Sequence, residues 1–332
     1  MKNKKINIII LLIAISLVLF FTLKDDFNGV IKSISNVRID IFIISLIIYF
    51  IAIVFRSLSF KIFMNEYYKD FSLIETIKIN FIAIMLNGIT PFQSGGQPFL
   101  LYILKKQGKR IADTTNVVLK DNLSHQIALV FIGLICIMFN IITNKYNFNG
   151  LFLIVLIGFI VNFIVLIAII VAMKSKKLAN KIIDYLYKFN FIKKIIKKDK
   201  EKIKESIKYF YDSFKELKKN KNKFIMAIIC NFLNIIILYT IPYFVFKSLG
   251  CEISIISSII MTAFVMLIGN FIPIPGATGG IEYGFYKFFG IFRSGAVLSS
   301  ALLIWRFITY LFGILLGFIF LMIRKDVDKK WE

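Results

Sequence analysis

Long uninterrupted apolar runs are the feature of this sequence that most limits what it can fold into. A helix rises about 1.5 Å per residue, so roughly 20 apolar residues cross the ~30 Å hydrocarbon core of a bilayer. The chain is 58% hydrophobic and only 18% charged, which is more apolar surface than a soluble protein could bury. The sequence therefore predicts an all-α polytopic membrane protein, with full transmembrane helices at residues 6–23, 41–55, 123–142, 151–173, 224–246 and 297–323.

The first of these runs begins like a secretory signal, because Lys2, Lys4 and Lys5 precede a short apolar core. No small-residue cleavage site follows the core, and the next residues are Lys24 and Asp25. We therefore interpret this run as a retained span.

Two further apolar stretches, 77–102 and 255–292, are interrupted by Pro and Gly at 90–98 and 272–280. A helix broken at membrane depth frees backbone N–H and C=O groups that lipid cannot satisfy, so protein should surround both breaks. Two interpretations are open. Each stretch is either a re-entrant hairpin, which returns to the side it entered from, or a kinked helix that crosses once.

The distribution of basic residues favours the hairpins. Cytoplasmic loops are enriched in Lys and Arg, and basic residues here concentrate in 2–5, 105–110, 174–223 and 324–330. Six spans and two hairpins place all four groups and both termini in the cytoplasm, whereas single crossings would move the 105–110 cluster outside. We therefore predict six full transmembrane helices plus two re-entrant hairpins, the first entering from the cytoplasm and the second from outside.

This arrangement predicts an inverted repeat. Residues 1–332 would form a single transmembrane domain with half-repeats at about 1–142 and 151–323, each in the order span, span, hairpin, span. An odd number of spans in each half inverts the second half relative to the first. Inverted repeats with discontinuous helices near the bilayer midplane are typical of secondary transporters.

The charge balance and the scarce residue types exclude several other classes. The 42 Lys and Arg against 19 Asp and Glu give a net charge of +23, which indicates attraction to an anionic inner leaflet. Nucleic acid is not an expected partner, because the 36 Phe lie mostly inside apolar runs rather than on exposed stacking surfaces. With one His and three Cys, we predict no metal site, disulfide framework or cofactor, and Cys136, Cys230 and Cys251 are interpreted as packing residues.

The basic segment at 174–223 holds roughly 18 Lys and about six acidic residues, more charge than a connector needs. Apolar residues within it share one helical face, with lysines around them: Ile203, Ile207, Phe210, Phe214 and Leu217. This pattern is typical of a helix lying on an anionic membrane surface. A solvated linker that only sets orientation is the alternative interpretation.

Two charged residues near the second break carry the candidate chemistry. A carboxylate such as Glu282 at membrane depth costs about 2.5–3.5 kcal/mol unless it is paired or hydrated. Glu282 could cap the following helix, contact a cationic headgroup or titrate a proton. Arg306 lies about nine residues, or roughly 13 Å, into the last span, so it needs a buried partner. Glu282 is the nearest suitable candidate in sequence, and the arginine fork could instead hold a lipid phosphate.

Each break contains a pair of glycines, Gly95–Gly96 in the first and Gly279–Gly280 in the second. Their successive N–H groups could bind an anion such as phosphate, or glycine could serve hairpin geometry alone. The predicted headgroup site comprises Gly95, Gly96, Gln97, Gly279, Gly280, Glu282 and Arg306. Neutral amides at the breaks, which can line a polar path, are Asn87, Gln93 and Asn270. No catalytic residue is assigned.

A further polar group precedes the third predicted span. His125 follows Asp121 by one helical turn, so the two could form a hydrogen-bonded pair and couple to protons. A simple interfacial or core histidine is the alternative. Lys120 and Arg56 are interpreted as marking span ends.

Three ordered motifs run through nearly the whole chain. They are residues 90–98 (TPFQSGGQP) followed by Tyr102, residues 272–282 (IPIPGATGGIE) and residues 303–310 (LIWRFITY). Together they resemble the lysylphosphatidylglycerol synthase transmembrane-region family, particularly its Firmicute-type members. Many relatives have Pro-Gly-Gly where this chain has Pro275-Gly276-Ala277, so one position is less permissive here.

The resemblance implies a bacterial cell-membrane protein related to the flippase half of enzymes that lysinylate phosphatidylglycerol and so resist cationic antimicrobial peptides. Those enzymes carry a soluble aminoacyl-transfer domain, which we expect to be absent because Glu332 ends the chain soon after the last span. The leading prediction is a flippase for phosphatidylglycerol, its aminoacylated form or a related anionic or polyprenyl lipid. The alternatives are a lipid-modifying enzyme, such as phosphatidylglycerol lysyltransferase, and a scaffold for a separate lipid synthase.

The interfacial-helix interpretation predicts how a peptide covering residues 193–223 partitions between vesicles. We expect Lys-to-Gln changes spread through 193–208 to weaken its binding to anionic vesicles, because exposed charges act mainly through the surface potential. Vesicle co-sedimentation measures the binding. Equal binding of the unchanged peptide to neutral and anionic vesicles would contradict the interpretation.

Overall fold

The computed structural model describes residues 26–90, 93–146, 148, 150–186, 211, 220–269 and 274–324. Across these residues the regular secondary structure is helical, without a strand. The α-helices, numbered in chain order, are α1 (Phe27–Ser35), α2 (Ile39–Met64), α3 (Leu73–Gly88), α4 (Gly96–Lys106), α5 (Ile111–Thr143), α6 (Leu151–Lys174), α7 (Lys176–Leu186), α8 (Lys221–Tyr239), α9 (Ile241–Ser248), α10 (Ile255–Gly269), α11 (Gly280–Phe289), α12 (Gly295–Arg306) and α13 (Phe312–Ile323). A 3-10 turn at Pro275–Ala277 precedes α11, and a π-helical turn at Phe307–Leu311 joins α12 to α13.

Five helical stretches among the described residues are long and apolar enough to cross a membrane. They are α2, α5, α6, α8 continued by α9, and α12 continued by α13. Five of the six predicted spans fall within them, and the sixth, 6–23, lies outside the described residues. Their outer faces are apolar; on α6, for example, Leu153 is 63% exposed and Ile164 is 58% exposed. Such faces suit lipid chains, so the prediction of a multi-pass helical membrane protein is confirmed.

The first interrupted stretch folds as two helices, α3 and α4, that pack against each other. Glu75 in the first turn of α3 accepts a hydrogen bond from Gln107, the residue after α4, at 2.6 Å. Just outside the same two helices, the Arg110 N–H donates to the Tyr68 hydroxyl at 2.8 Å. The beginning of α3 and the end of α4 therefore lie together.

The second interrupted stretch also folds as two packed helices, α10 and α11. Tyr146 touches both of its ends: the hydroxyl lies 2.6 Å from Ser257 Oγ in the first turn of α10, and the ring meets Phe292, just after α11, at 6.2 Å between centroids. The beginning of α10 and the end of α11 therefore also lie together.

Two long helix pairs pack closely in the bundle, and the second pair includes α3 of the first interrupted stretch. Helix α2 packs along α8, where Asn234 Nδ2 donates to the Ala52 carbonyl at 2.7 Å. Helix α13 packs along α3. The α3 and α13 backbones approach so closely at Gly317 that a side-chain carbon there would collide with the Phe81 carbonyl oxygen. This packing therefore requires glycine at position 317.

Two residues interpreted as span ends lie inside helices of the bundle instead. Lys120 is wholly buried, and its Nζ lies 2.8 Å from Glu66 Oε2. Arg56 lies well inside α2 and forms an ion pair with Asp121. The interpretation of Lys120 was wrong because α5 begins at Ile111, so the polar residues before the apolar run belong to the helix. The interpretation of Arg56 was wrong because α2 continues to Met64.

The described structure does not reach every predicted feature. The predicted interfacial helix at 203–217 and the amide Asn270 lie outside the described residues, apart from residue 211. The three cysteines are free and buried, in agreement with a packing role.

We expect Lys120→Met to destabilise the protein by about 3–5 kcal/mol, because it leaves the Glu66 carboxylate buried without its cation. Lys120→Met combined with Glu66→Gln should recover much of that loss. Thermal unfolding in detergent measures both variants, and Lys69→Met, at an exposed position in the same loop as Glu66, is the matched control. A single variant as stable as the double variant would contradict a structural role for the pair.

Candidate functional site

A cavity of about 320 Å³ lies between the two helix breaks. Residues beside each break line it: Asn87, Gly88 and Gln93 at the first, and Gly276 and Ile281 at the second. Aromatic and polar side chains from the long helices complete the wall, among them Tyr49, Arg56, His125, Trp305, Arg306 and Tyr310. Both interrupted stretches thus reach one space of mixed polar and aromatic character.

The predicted pair of Arg306 and Glu282 is present. Arg306 Nε donates to Glu282 Oε1 at 2.6 Å, and Nη2 lies 2.6 Å from the same oxygen. Glu282 Oε2 also accepts the N–H of Gly279, the residue that caps α11. The carboxylate therefore caps the helix and pairs with the arginine at once. Each group is stabilised where it would be costly alone, since both side chains are more than nine-tenths buried.

Arg306 also connects the second break to the first. Its Nη2 donates to the Gly276 carbonyl at 3.1 Å, and its guanidinium lies 4.7 Å from the centroid of the Tyr310 ring. The Tyr310 hydroxyl in turn donates to the Gly88 carbonyl at 3.0 Å, at the end of α3. Carbonyl groups freed at both breaks thus receive donors from one turn of the last span, as a helix broken inside a membrane requires.

The turn that carries these donors is π-helical, at Phe307–Leu311. Single π-helical turns are frequent at functional sites, because the extra residue changes which side chains face a common partner. Here the turn begins directly after Arg306 and contains Tyr310.

The second break contains two consecutive residues in left-handed conformations, Gly276 and Ala277. Gly276 has a φ of 65°, and the Tyr310 ring packs so closely that a side chain at 276 would collide with it. Ala277 has a φ of 53°, a left-handed conformation that favours glycine. An alanine there stores strain of roughly 1 kcal/mol, which a glycine would avoid.

Hydrogen bonds inside the first break occupy the glycine N–H groups. The Gly95 N–H donates to Thr90 Oγ1 at 2.9 Å, and the Gly96 N–H donates to Asn87 Oδ1 at 2.8 Å. Together with the Gly279 contact to Glu282, these bonds favour the alternative in which the glycine pairs serve turn geometry.

A second polar centre joins α2, α5 and α8. Arg56 Nη1 donates to Asp121 Oδ1 at 2.8 Å, and Nη2 lies 2.6 Å from Oδ2. Arg56 Nη1 also donates to Asn231 Oδ1 at 2.8 Å. Ser59 donates to Asp121 at 2.7 Å, and Asn231 Nδ2 donates to both Ser59 and Ser124. The network satisfies a buried carboxylate with one cation and one hydroxyl.

His125 belongs to this centre through a partner that sequence reasoning did not find. Its Nδ1 lies 3.3 Å from Asn231 Oδ1. The proposed pairing with Asp121 is not formed, because Arg56 and Ser59 already occupy that carboxylate. The signal for Asn231 was its position inside an otherwise apolar span, where an amide needs partners.

The structure distributes the predicted site residues between the cavity and its surroundings. Four line the cavity: Asn87, Gln93, His125 and Arg306. The others do not line it. Gly95, Gly96, Gly279 and Glu282 form hydrogen bonds at the breaks, Asp121 pairs with Arg56, Gly280 begins α11, and Gln97 is exposed on α4. Within the described residues, no three His, Cys, Asp or Glu side chains gather as a metal site would require.

The comparisons with known proteins agree with the motifs. No curated protein matches the chain. The family model described as "Lysylphosphatidylglycerol synthase TM region" matches residues 7–317. This match includes both breaks, the cavity and nearly all of the last span. The chain therefore belongs to the lysylphosphatidylglycerol synthase transmembrane-region family.

Proposed function

We propose that this protein moves phospholipids between the leaflets of a bacterial cell membrane. The observation that carries the proposal is the cavity between the two breaks, which Arg306 lines at membrane depth. A charged headgroup loses its hydration when it enters hydrocarbon, at a cost that no acyl chain offsets. A cavity with arginine, amide and hydroxyl groups would replace that hydration while the acyl chains stay in the bilayer.

The donors at the cavity suit a phosphate. Arg306 uses Nε and Nη2 in its contacts with Glu282 and Gly276, and Nη1 has no partner among the described residues. A guanidinium N–H pair is the group that recognises phosphate oxygens best. In this proposal the glycines of both breaks shape the site, and Arg306 contacts the headgroup.

The proposal includes the topology of six spans and two re-entrant hairpins in inverted halves, with both termini cytoplasmic. The contacts of Glu75 with Gln107 and of Tyr146 with Ser257 and Phe292 support it, since they hold the two ends of each broken stretch together. Alternating access to the cavity from either side then follows the general plan of inverted-repeat transporters.

An enzymatic role on membrane lipid is less well supported by the site. General acid–base catalysis needs titratable groups within reach of the substrate. Among the described residues that line the cavity there is no Asp or Glu, and His125 is the histidine present. A scaffold for a separate lipid synthase would instead use the basic cytoplasmic segment.

Leaflet exchange in liposomes tests the function. We expect purified protein to accelerate the exchange of fluorescent phosphatidylglycerol, lysyl-phosphatidylglycerol or a polyprenyl phosphate. Arg306→Lys should fold but exchange lipid about tenfold or more slowly, because lysine keeps the charge and loses the fork. Arg306→Ala should be less stable by about 3–5 kcal/mol, because it strands the Glu282 carboxylate.

The control is Arg38→Lys, at an arginine that pairs with Asp40 on the surface, where its side chain is 62% exposed. Its exchange rate should match that of the unchanged protein. Folded protein that exchanges none of the three lipids would refute the proposal.

Cysteine labelling tests the topology. The chain has three cysteines, all buried, which Cys→Ala changes remove. Single cysteines at Lys109 and Lys221 should react only from the cytoplasm, and single cysteines at Lys145 and Arg293 only from outside. Outside labelling at position 109 would refute the first hairpin, and cytoplasmic labelling at position 293 would refute the second.

A further inference from the structure

The charges that face the cavity are of one sign. Arg56 and Arg306 both line it, whereas their partners Asp121 and Glu282 do not. The arginines come from different helices, α2 and the end of α12. Each carboxylate therefore lies behind its arginine, and a molecule in the cavity meets guanidinium groups first.

Both arginines keep donors that their partners do not use. Arg56 engages Asp121 and Asn231 through Nη1 and Nη2, and its Nε has no partner within the described part of the chain. Arg306 likewise keeps Nη1. An arginine has five N–H donors and no acceptor, so what remains available at both groups is donor capacity.

Two further polar groups of the wall lack partners. Tyr49 and Trp305 line the cavity and are 2% and 1% exposed. Neither Tyr49 Oη nor Trp305 Nε1 has a hydrogen-bond partner among the described residues. A buried polar group without a partner is costly, and an indole N–H can only donate. Both atoms are enclosed by protein, so the donors that a molecule in the cavity can meet are those of the two arginines.

We propose that the cavity selects lipids with anionic headgroups, such as phosphatidylglycerol. Headgroups that carry an ammonium group, such as that of lysyl-phosphatidylglycerol, should bind more weakly. The inference rests on the proposed function and narrows its substrate. A phosphodiester offers acceptor oxygens to the donors that Arg56 and Arg306 keep free. An added lysyl group brings ammonium charge beside two guanidinium groups, where like charges repel.

The aromatic wall does not reverse this preference. Aromatic faces can hold an ammonium by cation–π attraction. However, the Arg306 guanidinium already lies over the Tyr310 ring, at 4.7 Å from its centroid. Trp305 stacks one face on Phe285 at 5.0 Å between centroids. With no acidic side chain among the described residues of the lining, nothing there neutralises a second cation.

Trp305 provides a direct reading of binding. The chain has two tryptophans, so Trp331→Phe leaves Trp305 as the single fluorophore. We expect titration of this variant with short-chain phosphatidylglycerol to change Trp305 fluorescence. Short-chain lysyl-phosphatidylglycerol should bind at least about tenfold more weakly, because its ammonium groups are repelled by the two guanidinium groups.

Paired substitutions test the residues without stranding a charge. Arg56→Gln with Asp121→Asn should weaken phosphatidylglycerol binding about tenfold or more and leave the fold intact. The matched control, Arg38→Gln with Asp40→Asn, removes an exposed pair of the same types and should bind as before.

The outcomes separate this inference from the proposed function. Equal or tighter binding of lysyl-phosphatidylglycerol, or full binding by the Arg56→Gln, Asp121→Asn variant, would overturn the selectivity, even if both lipids exchange between leaflets. Selective binding of phosphatidylglycerol without leaflet exchange would support the inference and refute translocation.

Discussion

A helix that stops inside a membrane must find partners for its free backbone groups within the protein, and much of this structure answers that requirement. At the first break, side chains of the break itself do so, through Asn87 and Thr90. At the second, Glu282 accepts the N–H of Gly279. The last span supplies the remaining donors, Arg306 and Tyr310, one to each break. The same turn of helix therefore stabilises both breaks and forms part of the cavity wall between them.

The two ion pairs that reach the cavity hold different parts of the structure together. Arg306 and Glu282 hold a helix start and a break together within the second half of the sequence, whereas Arg56 and Asp121 join helices of the first half to Asn231 of α8. In each pair the arginine reaches the cavity and the carboxylate stays behind it. A carboxylate so placed fixes the direction of the guanidinium without competing for a ligand, as outer partners do for the ligands of metal sites.

What the sequence could predict depends on how local each signal was. The spans followed from apolar runs, and the pairing of Arg306 with Glu282 followed because each is costly alone and they are close in the chain. Arg56 and Asp121 are 65 residues apart on different helices, so only helix packing determines that they meet. Lys120 was predicted to mark the end of a span because the polar residues at the start of α5 resemble a loop in composition. Asn231 was overlooked although an amide in an apolar span is a readable signal.

The close packing of α13 on α3 has a consequence for how the two halves could move. Tyr310 bonds to the end of α3 at Gly88, Gly317 lets the two backbones touch near Phe81, and Arg324 forms an ion pair with Glu75 at the start of α3, 2.8 Å away. Helix α13, from the second half of the sequence, thus contacts α3, from the first half, along the whole length of α3. If parts of the bundle move relative to one another, the moving parts therefore cannot be the two halves of the sequence. Any rocking motion would carry α3 and α13 together, one from each half of the sequence.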